Sequence, residues 1–202
     1  MTRLRVPATI LPLLLAGDAA SAQQRGWGIE ASASYLTWPR SIVEDLVEDY
    51  ADSFSVEGYT FTGRLCRLKE NGAPSYFFGY VQTRITASGV NVPESATFNG
   101  FLMLRGAVIT KYVNFAERSG GSFGLAVGGG IARANARGVE TFTPPNRAPY
   151  TDVEDWKNKP FPLLEFGLQG DVLLGRRLSA FVFGGFQHVG LGGGAGLRYR
   201  FR

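Results

Sequence analysis

The sequence predicts an all-β protein: an eight-stranded antiparallel up-and-down transmembrane β-barrel with a short helix in its first long loop. Three observations carry that expectation. Apolar and polar residues alternate through one segment after another, which marks strands with two unlike faces. No segment beyond the N-terminus reaches the ~18 continuous apolar residues of a membrane helix, so a membrane crossing has to be made of strands. The 202 residues include 27 glycines and are 13% aromatic, a mixture produced by many short strands with Gly-rich turns and aromatic edges.

The N-terminus reads as an address. Arg3 and Arg5 precede an apolar run over residues 6–16, and Ala20-Ser21-Ala22 supplies small residues in an A-x-A pattern. This is the layout of a cleaved secretory signal peptide over residues 1–22, leaving a single barrel domain over 23–202. Without Arg3, Arg5 and Asp18, the 21 basic and 17 acidic residues become 19 and 16. That balance gives no electrostatic footprint for nucleic acid. Cys66 is the single cysteine, so no intrachain disulfide forms, and it reads as a packed, inert thiol.

The first strand is "GWGIEASASYLTW", residues 26–38, with Trp27, Ile29, Ala31, Ala33 and Tyr35 opposite Glu30, Ser32 and Ser34. The second, 59–68, sets Tyr59, Phe61 and Leu65 against Thr60, Thr62, Arg64 and Cys66. Asn71-Gly72 then marks a tight hairpin. The third, 76–88, alternates Phe77, Val81 and Ile85 with Tyr80, Gln82, Arg84 and Thr86. The fourth, from 98 to about 112, alternates Leu102, Leu104 and Val108 with Asn99 and Arg105.

In the fifth, "SFGLAVGGGIARA", Phe123, Leu125, Val127 and Ile131 oppose a face of Gly and Ala, as suits a crowded interior. Residues 138–160, rich in proline, read as a loop. The sixth, "FPLLEFGLQGDVLL", sets Leu164, Phe166, Leu168 and Val172 against Glu165, Gln169 and Asp171. The seventh, 178–189, carries aromatics at both parities and has no assignable facing. "GLRYRFR" closes the chain as the eighth. Short connections alternate with longer ones, the asymmetry of a barrel with short periplasmic turns and longer external loops.

Alternation by itself fits a soluble barrel with an apolar interior as well, so the minor face decides. Glu30, Arg64, Arg84, Arg105, Glu165, Asp171, Arg198 and Arg200 share it with Gln, Ser, Thr and Gly. These mixed charges are expected to pair as a network in a narrow lumen, with the apolar face toward lipid. Trp27, Tyr35, Trp38, Tyr59, Tyr112, Phe115, Phe161, Tyr199 and Phe201 stand near strand ends, as interfacial girdles require.

Gly196, Tyr199 and Phe201 resemble the Gly-x-x-aromatic-x-aromatic terminal signature of bacterial outer-membrane proteins, with Arg202 following the last aromatic as a departure. The whole of residues 23–202 resembles the small OmpA/OmpX-type outer-membrane barrels without a periplasmic peptidoglycan-binding domain. "KYVNF", 111–115, followed by a turn and a glycine-rich strand, resembles their central hairpin. The resemblance implies a monomeric barrel in the bacterial outer membrane, with the barrel assembly machinery as a partner during biogenesis. It implies lipid and lipopolysaccharide as surroundings, and a structural or surface-interaction role through the external loops.

Catalytic chemistry finds little to stand on. His188 is the one ready general base near neutral pH, but it is followed by Val189 and Gly190, without the His-x-Ser arrangement of lipid A deacylase barrels. Ser179, nine residues away on the same strand, lies ~30 Å along it. A lipid-modifying enzyme using His188 is therefore the alternative rather than the expectation, as is a conduit or binder for a small hydrophobic ligand. No cofactor, metal site or catalytic residue is expected. In the first long loop, residues 41–54 pair a Ser41/Glu44 capping box with Val43, Leu46, Val47 and Tyr50 at helical spacing. The resulting short helix would display Glu44, Asp45, Glu48, Asp49 and Asp52. That acidic face is either solvated or a contact for divalent cations bridging lipopolysaccharide or for a cationic partner.

Overall fold

The computed structural model describes residues 26–38, 54–69, 73–91, 95–118 and 120–201. The N-terminal segment read as a signal peptide lies outside them. So does the expected loop helix apart from Phe54, together with Glu44, Asp45, Glu48, Asp49 and Asp52. Eight antiparallel strands follow one another and close into a ring. They are β1 (Gly26–Thr37), β2 (Ser55–Leu68), β3 (Pro74–Asn91), β4 (Ala96–Arg118), β5 (Gly121–Phe142), β6 (Tyr150–Leu173), β7 (Leu178–Gln187) and β8 (Gly190–Arg200).

The ladder fixes the barrel's shape. Beginning at Trp27, the pairs run through Arg67, Tyr76, Lys111, Val127, Phe166, Phe186 and Leu191, and return to β1 at Thr37. The circuit closes ten residues further along the strand, from position 27 to position 37. With strands ~4.8 Å apart and ~3.3 Å per residue, a stagger of ten over eight strands tilts them by about 40°. The interior of such a barrel is filled by side chains.

One end of the ring is even and the other is not. At the lower end stand the short connections at 69–73, 119–120 and 174–177, with Gly26 and Phe201 beside them. At the upper end β3, β4, β5 and β6 run far past their neighbours, while β7 turns into β8 through His188 and Val189 alone. The segment expected as a loop over 138–160 is mostly strand. β5 and β6 stay paired out to Phe142 and Tyr150, with a register shift between Ala134 and Ala136. Pro144, Pro145 and Pro149 fall in the connection. Pro160 and Pro162 fall on β6 above Glu165, where β7 has not yet begun to pair, and proline is tolerated on a strand edge.

The faces of β1, β2, β5, β6 and β8 match the sequence pattern, with Glu30, Arg64, Glu165 and Arg198 inward and Ile29, Phe61, Leu164 and Leu197 outward. β3 and β4 are the reverse of expectation. Phe77, Val81, Ile85, Leu104 and Val108 point into the barrel, whereas Arg84 and Arg105 are exposed on its outer surface. The reason is volume. The inward face of β5 is Ala126, Gly128, Gly130, Ala132 and Ala134, and large apolar chains from β3 and β4 fill the room it leaves. Val81, Leu104, Ala132, Ala134 and Leu163 form one buried cluster, with Leu102, Phe161 and Val189 against it. β7 acquires a facing: Ser179, Phe181 and Gln187 inward, Leu178, Val182 and Phe186 outward. Gly196 makes that facing fit, because a Cβ there would collide with the inward Phe181 ring.

Candidate functional site

The densest polar constellation is a buried charge cluster in the lower half of the lumen, built by β1, β2, β6 and β8. Arg198 is its centre and is 2% exposed. Its Nε and Nη2 donate to Glu30 Oε2 at 3.1 and 2.8 Å, and its Nη1 donates to Asp171 Oδ1 at 2.6 Å. On β2, Arg64 Nη2 donates to Glu165 Oε2 at 2.7 Å, and Arg64 Nη1 lies 3.9 Å from Glu30 Oε1. Two guanidiniums thus face three carboxylates.

Neutral groups complete the shell. The Thr110 hydroxyl donates to Glu165 Oε2 at 3.1 Å, and Ser122 donates to Asp171 Oδ2 at 3.2 Å. Gln169 Nε2 reaches Asp171, and the Tyr112 hydroxyl donates to the Gln169 carbonyl at 2.8 Å. Phe77 lies between the two cations, its ring centroid 5.6 Å from the Arg64 guanidinium and 5.4 Å from that of Arg198. Phe181 covers Arg198 from another side at 5.2 Å. Pairing is the form in which charge survives burial, and among the described residues Glu30 Oε1 and Arg64 Nε are the cluster's buried atoms left without a hydrogen-bond partner.

Five of the eight residues predicted to share a lumen network meet here: Glu30, Arg64, Glu165, Asp171 and Arg198. Arg200 has the inward parity but stands at the lower end, its guanidinium over Gly26. Arg84 and Arg105 are on the outer surface, as described above. Sequence reasoning missed Phe77, read as outward, and Tyr112, read as a girdle residue but buried with its hydroxyl bonded across the lumen. Phe161, also read as a girdle residue, packs against the apolar cluster. Trp27, Tyr35, Tyr59, Phe115, Tyr199 and Phe201 are exposed on the outer surface. Of the terminal signature, Gly196 faces inward, while Tyr199 and Phe201 face outward with ring centroids 5.9 Å apart.

His188 occupies the turn above β7, with φ at 61° and its backbone N–H donating to the Leu164 carbonyl. Burial pushes its imidazole below the ordinary value, partly opposed by the Glu165 carboxylate. Ser179 is at the opposite end of β7. Among the described residues no group of three or more His, Cys, Asp or Glu is arranged to hold a metal ion.

A second feature lies above the apolar cluster, where the raised strands curve. A cavity of about 490 Å³ is lined by apolar residues including Ile85, Phe98, Leu102 and Trp156, and by Arg137, Glu140, Asp152 and Glu154.

No family model matches the chain, and no curated protein matches it. Among solved structures it is similar to the translocator domain of the autotransporter NalP from Neisseria meningitidis, at 14% identity over 88% of each chain with a TM-score of 0.28. It is also similar to the transport unit of the autotransporter AIDA-I from Escherichia coli, at 9% identity over 93% of this chain and 94% of that one, with a TM-score of 0.28. A third is the β domain of the Bordetella autotransporter BrkA, at 12% identity over 88% and 99% of the two chains, with a TM-score of 0.26. The barrel's definition rests on its own ladder and faces.

Proposed function

We propose that this protein is an integral bacterial outer-membrane β-barrel, similar in architecture to the small OmpA/OmpX-type barrels, with a non-enzymatic structural or surface-interaction role. The observation that carries this reading is the inverted polarity of the barrel. Ile29, Phe61, Leu65, Phe78, Ile131, Leu164, Phe166, Val182 and Leu197 are exposed on the outside, while Glu30, Arg64, Glu165, Asp171 and Arg198 are buried inside. A soluble barrel has no use for that distribution, and lipid satisfies it.

The belt has the right height. Trp27, Phe115, Phe123 and Tyr199 ring its lower edge, and Tyr35 and Tyr59 stand at its upper edge with centroids 5.3 Å apart. From Trp27 to Tyr35 along a strand tilted by about 40° is about 20 Å, close to the ~25 Å apolar band of such barrels. The short connections then belong to the periplasmic end and the raised strands to the cell surface. The charge cluster and the apolar cluster above it fill the lumen in two storeys and act as a plug. The raised sheet, with its cavity of apolar and mixed-charge lining, is the surface offered to a partner.

The test is direct. Isolated outer membranes should contain the protein, unboiled samples should migrate faster than boiled ones on a denaturing gel, and planar bilayers holding it should show no steady single-channel conductance. Recovery as a soluble periplasmic species without a migration shift overturns the reading.

A further inference from the structure

Arg84, Arg105 and Arg133 form a cationic patch on the outer wall, on three consecutive strands. Arg105 and Arg133 are directly opposite one another in the β4/β5 ladder. Arg84 pairs with Met103, which places it diagonally across from Arg105. All three are exposed. Like charges directly opposite on one sheet face repel, and nothing in the fold requires this pairing. Among the described residues neither Arg84 nor Arg105 has a carboxylate partner, and Arg133 donates only to the Asn158 carbonyl at 3.1 Å. Glu57, the carboxylate diagonal to Arg84, accepts the Tyr35 hydroxyl at 3.2 Å instead.

The patch also has a defined height. Arg84 pairs with Tyr59, whose ring meets Tyr35 at the upper edge of the apolar belt. Below the three arginines the same strands present Tyr80, Ala107 and Ile131 to the outside. Their guanidiniums therefore stand at the level of the outer-leaflet headgroups. Planar guanidiniums are suited to bidentate bonds with phosphate, and an anion held among them would remove the repulsion between Arg105 and Arg133.

We infer that Arg84, Arg105 and Arg133 form a binding site for the phosphates of the outer-leaflet glycolipid, the phosphorylated lipid A moiety of lipopolysaccharide. This rests on the outer-membrane reading above and adds a specific ligand to it. The experiment uses the full barrel in neutral-detergent micelles and reads the temperature at which the gel-shifted folded form is lost. Probes are bisphosphorylated lipid A, the same lipid dephosphorylated, and inorganic phosphate. Bisphosphorylated lipid A should raise that temperature for the wild type and not for the triple variant Arg84→Gln/Arg105→Gln/Arg133→Gln. Without lipid, Arg105→Gln should be as stable as the wild type or more so, an outcome a purely structural arginine would not give.

An equal rise with dephosphorylated lipid, or a rise retained in the triple variant, overturns the site. An equal rise with inorganic phosphate overturns the lipid assignment. A wild type that stays folded and membrane-embedded yet shows no lipid A effect sinks this inference alone, whereas failure to embed at all sinks the outer-membrane reading.

Discussion

The lumen has two sides that solve the same problem differently. On the β1, β2, β6 and β8 side, space is filled by Glu30, Arg64, Glu165, Asp171 and Arg198, each held by directional bonds to another strand. On the β3, β4 and β5 side it is filled by Val81, Leu104, Ala132 and Ala134, which need only fit. Phe77 joins the two, stacked under both guanidiniums and packed with Cys66, Leu68, Tyr112 and Ala126. The difference teaches that a barrel interior has to be full and satisfied, not uniformly polar. Water-free polar groups need partners, whereas apolar ones need only volume.

The comparison can be broken most severely from the charged side. Arg198→Leu removes the cation bonded to Asp171 and leaves Glu30 with Arg64 Nη1 at 3.9 Å, and should lower stability in urea titrations of the folded, gel-shifted form by about 3–5 kcal/mol. Leu104→Ala attacks the apolar side, where the loss is transfer energy plus a cavity, about 2–5 kcal/mol by the same titration. Unlike the first, it should leave the remaining charge pairs intact. Gly185→Ala probes the barrel wall itself, on β7. Its φ of 156° and the Phe166 carbonyl against which a Cβ would run imply a loss of about 1–3 kcal/mol. The smallest effect sharpens the rule for neutral polar groups. Thr60 and Thr83 share a buried hydroxyl pair at 2.8 Å, so Thr83→Val should cost about 1–3 kcal/mol while Thr60→Val/Thr83→Val recovers most of it. A double variant no better than the single would mean that shape, not hydrogen bonding, governs that position.

Much of this was legible in the alternation, and the failures of facing have one cause. A period of two separates the faces of a strand but does not say which is inside. Taken together, the minor faces of β1, β2, β6 and β8 offer carboxylates and guanidiniums that can pair, and burial by mutual pairing identified the inside there. On β3 the one charge is Arg84, and both it and Arg105 on β4 stand outward, while Phe77, Val81 and Leu104 take the space opposite the small residues of β5. That information is in a neighbouring strand, not in β3 or β4. The long β5/β6 hairpin was hidden by Pro144, Pro145, Pro149 and Pro160: the first three fall in the connection, and Pro160 signals a loop only if the strand is flanked on both sides, which above Glu165 it is not. The cluster was half-legible: its charges were visible in sequence, while Phe77, Thr110 and Tyr112 joined it through distances that only closure of the ring creates.

The raised part of β6 bears on how these molecules behave when crowded. In a membrane, barrels diffuse in two dimensions and meet side by side in a common orientation, so a bare strand edge held at one height is an invitation to stitch neighbours into a continuous sheet. Above Glu165, β6 has β5 on one side and no strand on the other among the described residues. Along that stretch stand Pro160 and Pro162, which lack N–H groups, Lys157 and Lys159, and Asn158 with its φ of 54°. Each spoils a straight ladder in its own way. The residues that make this segment look like a loop are also ones poorly suited to pairing with a strand of another copy.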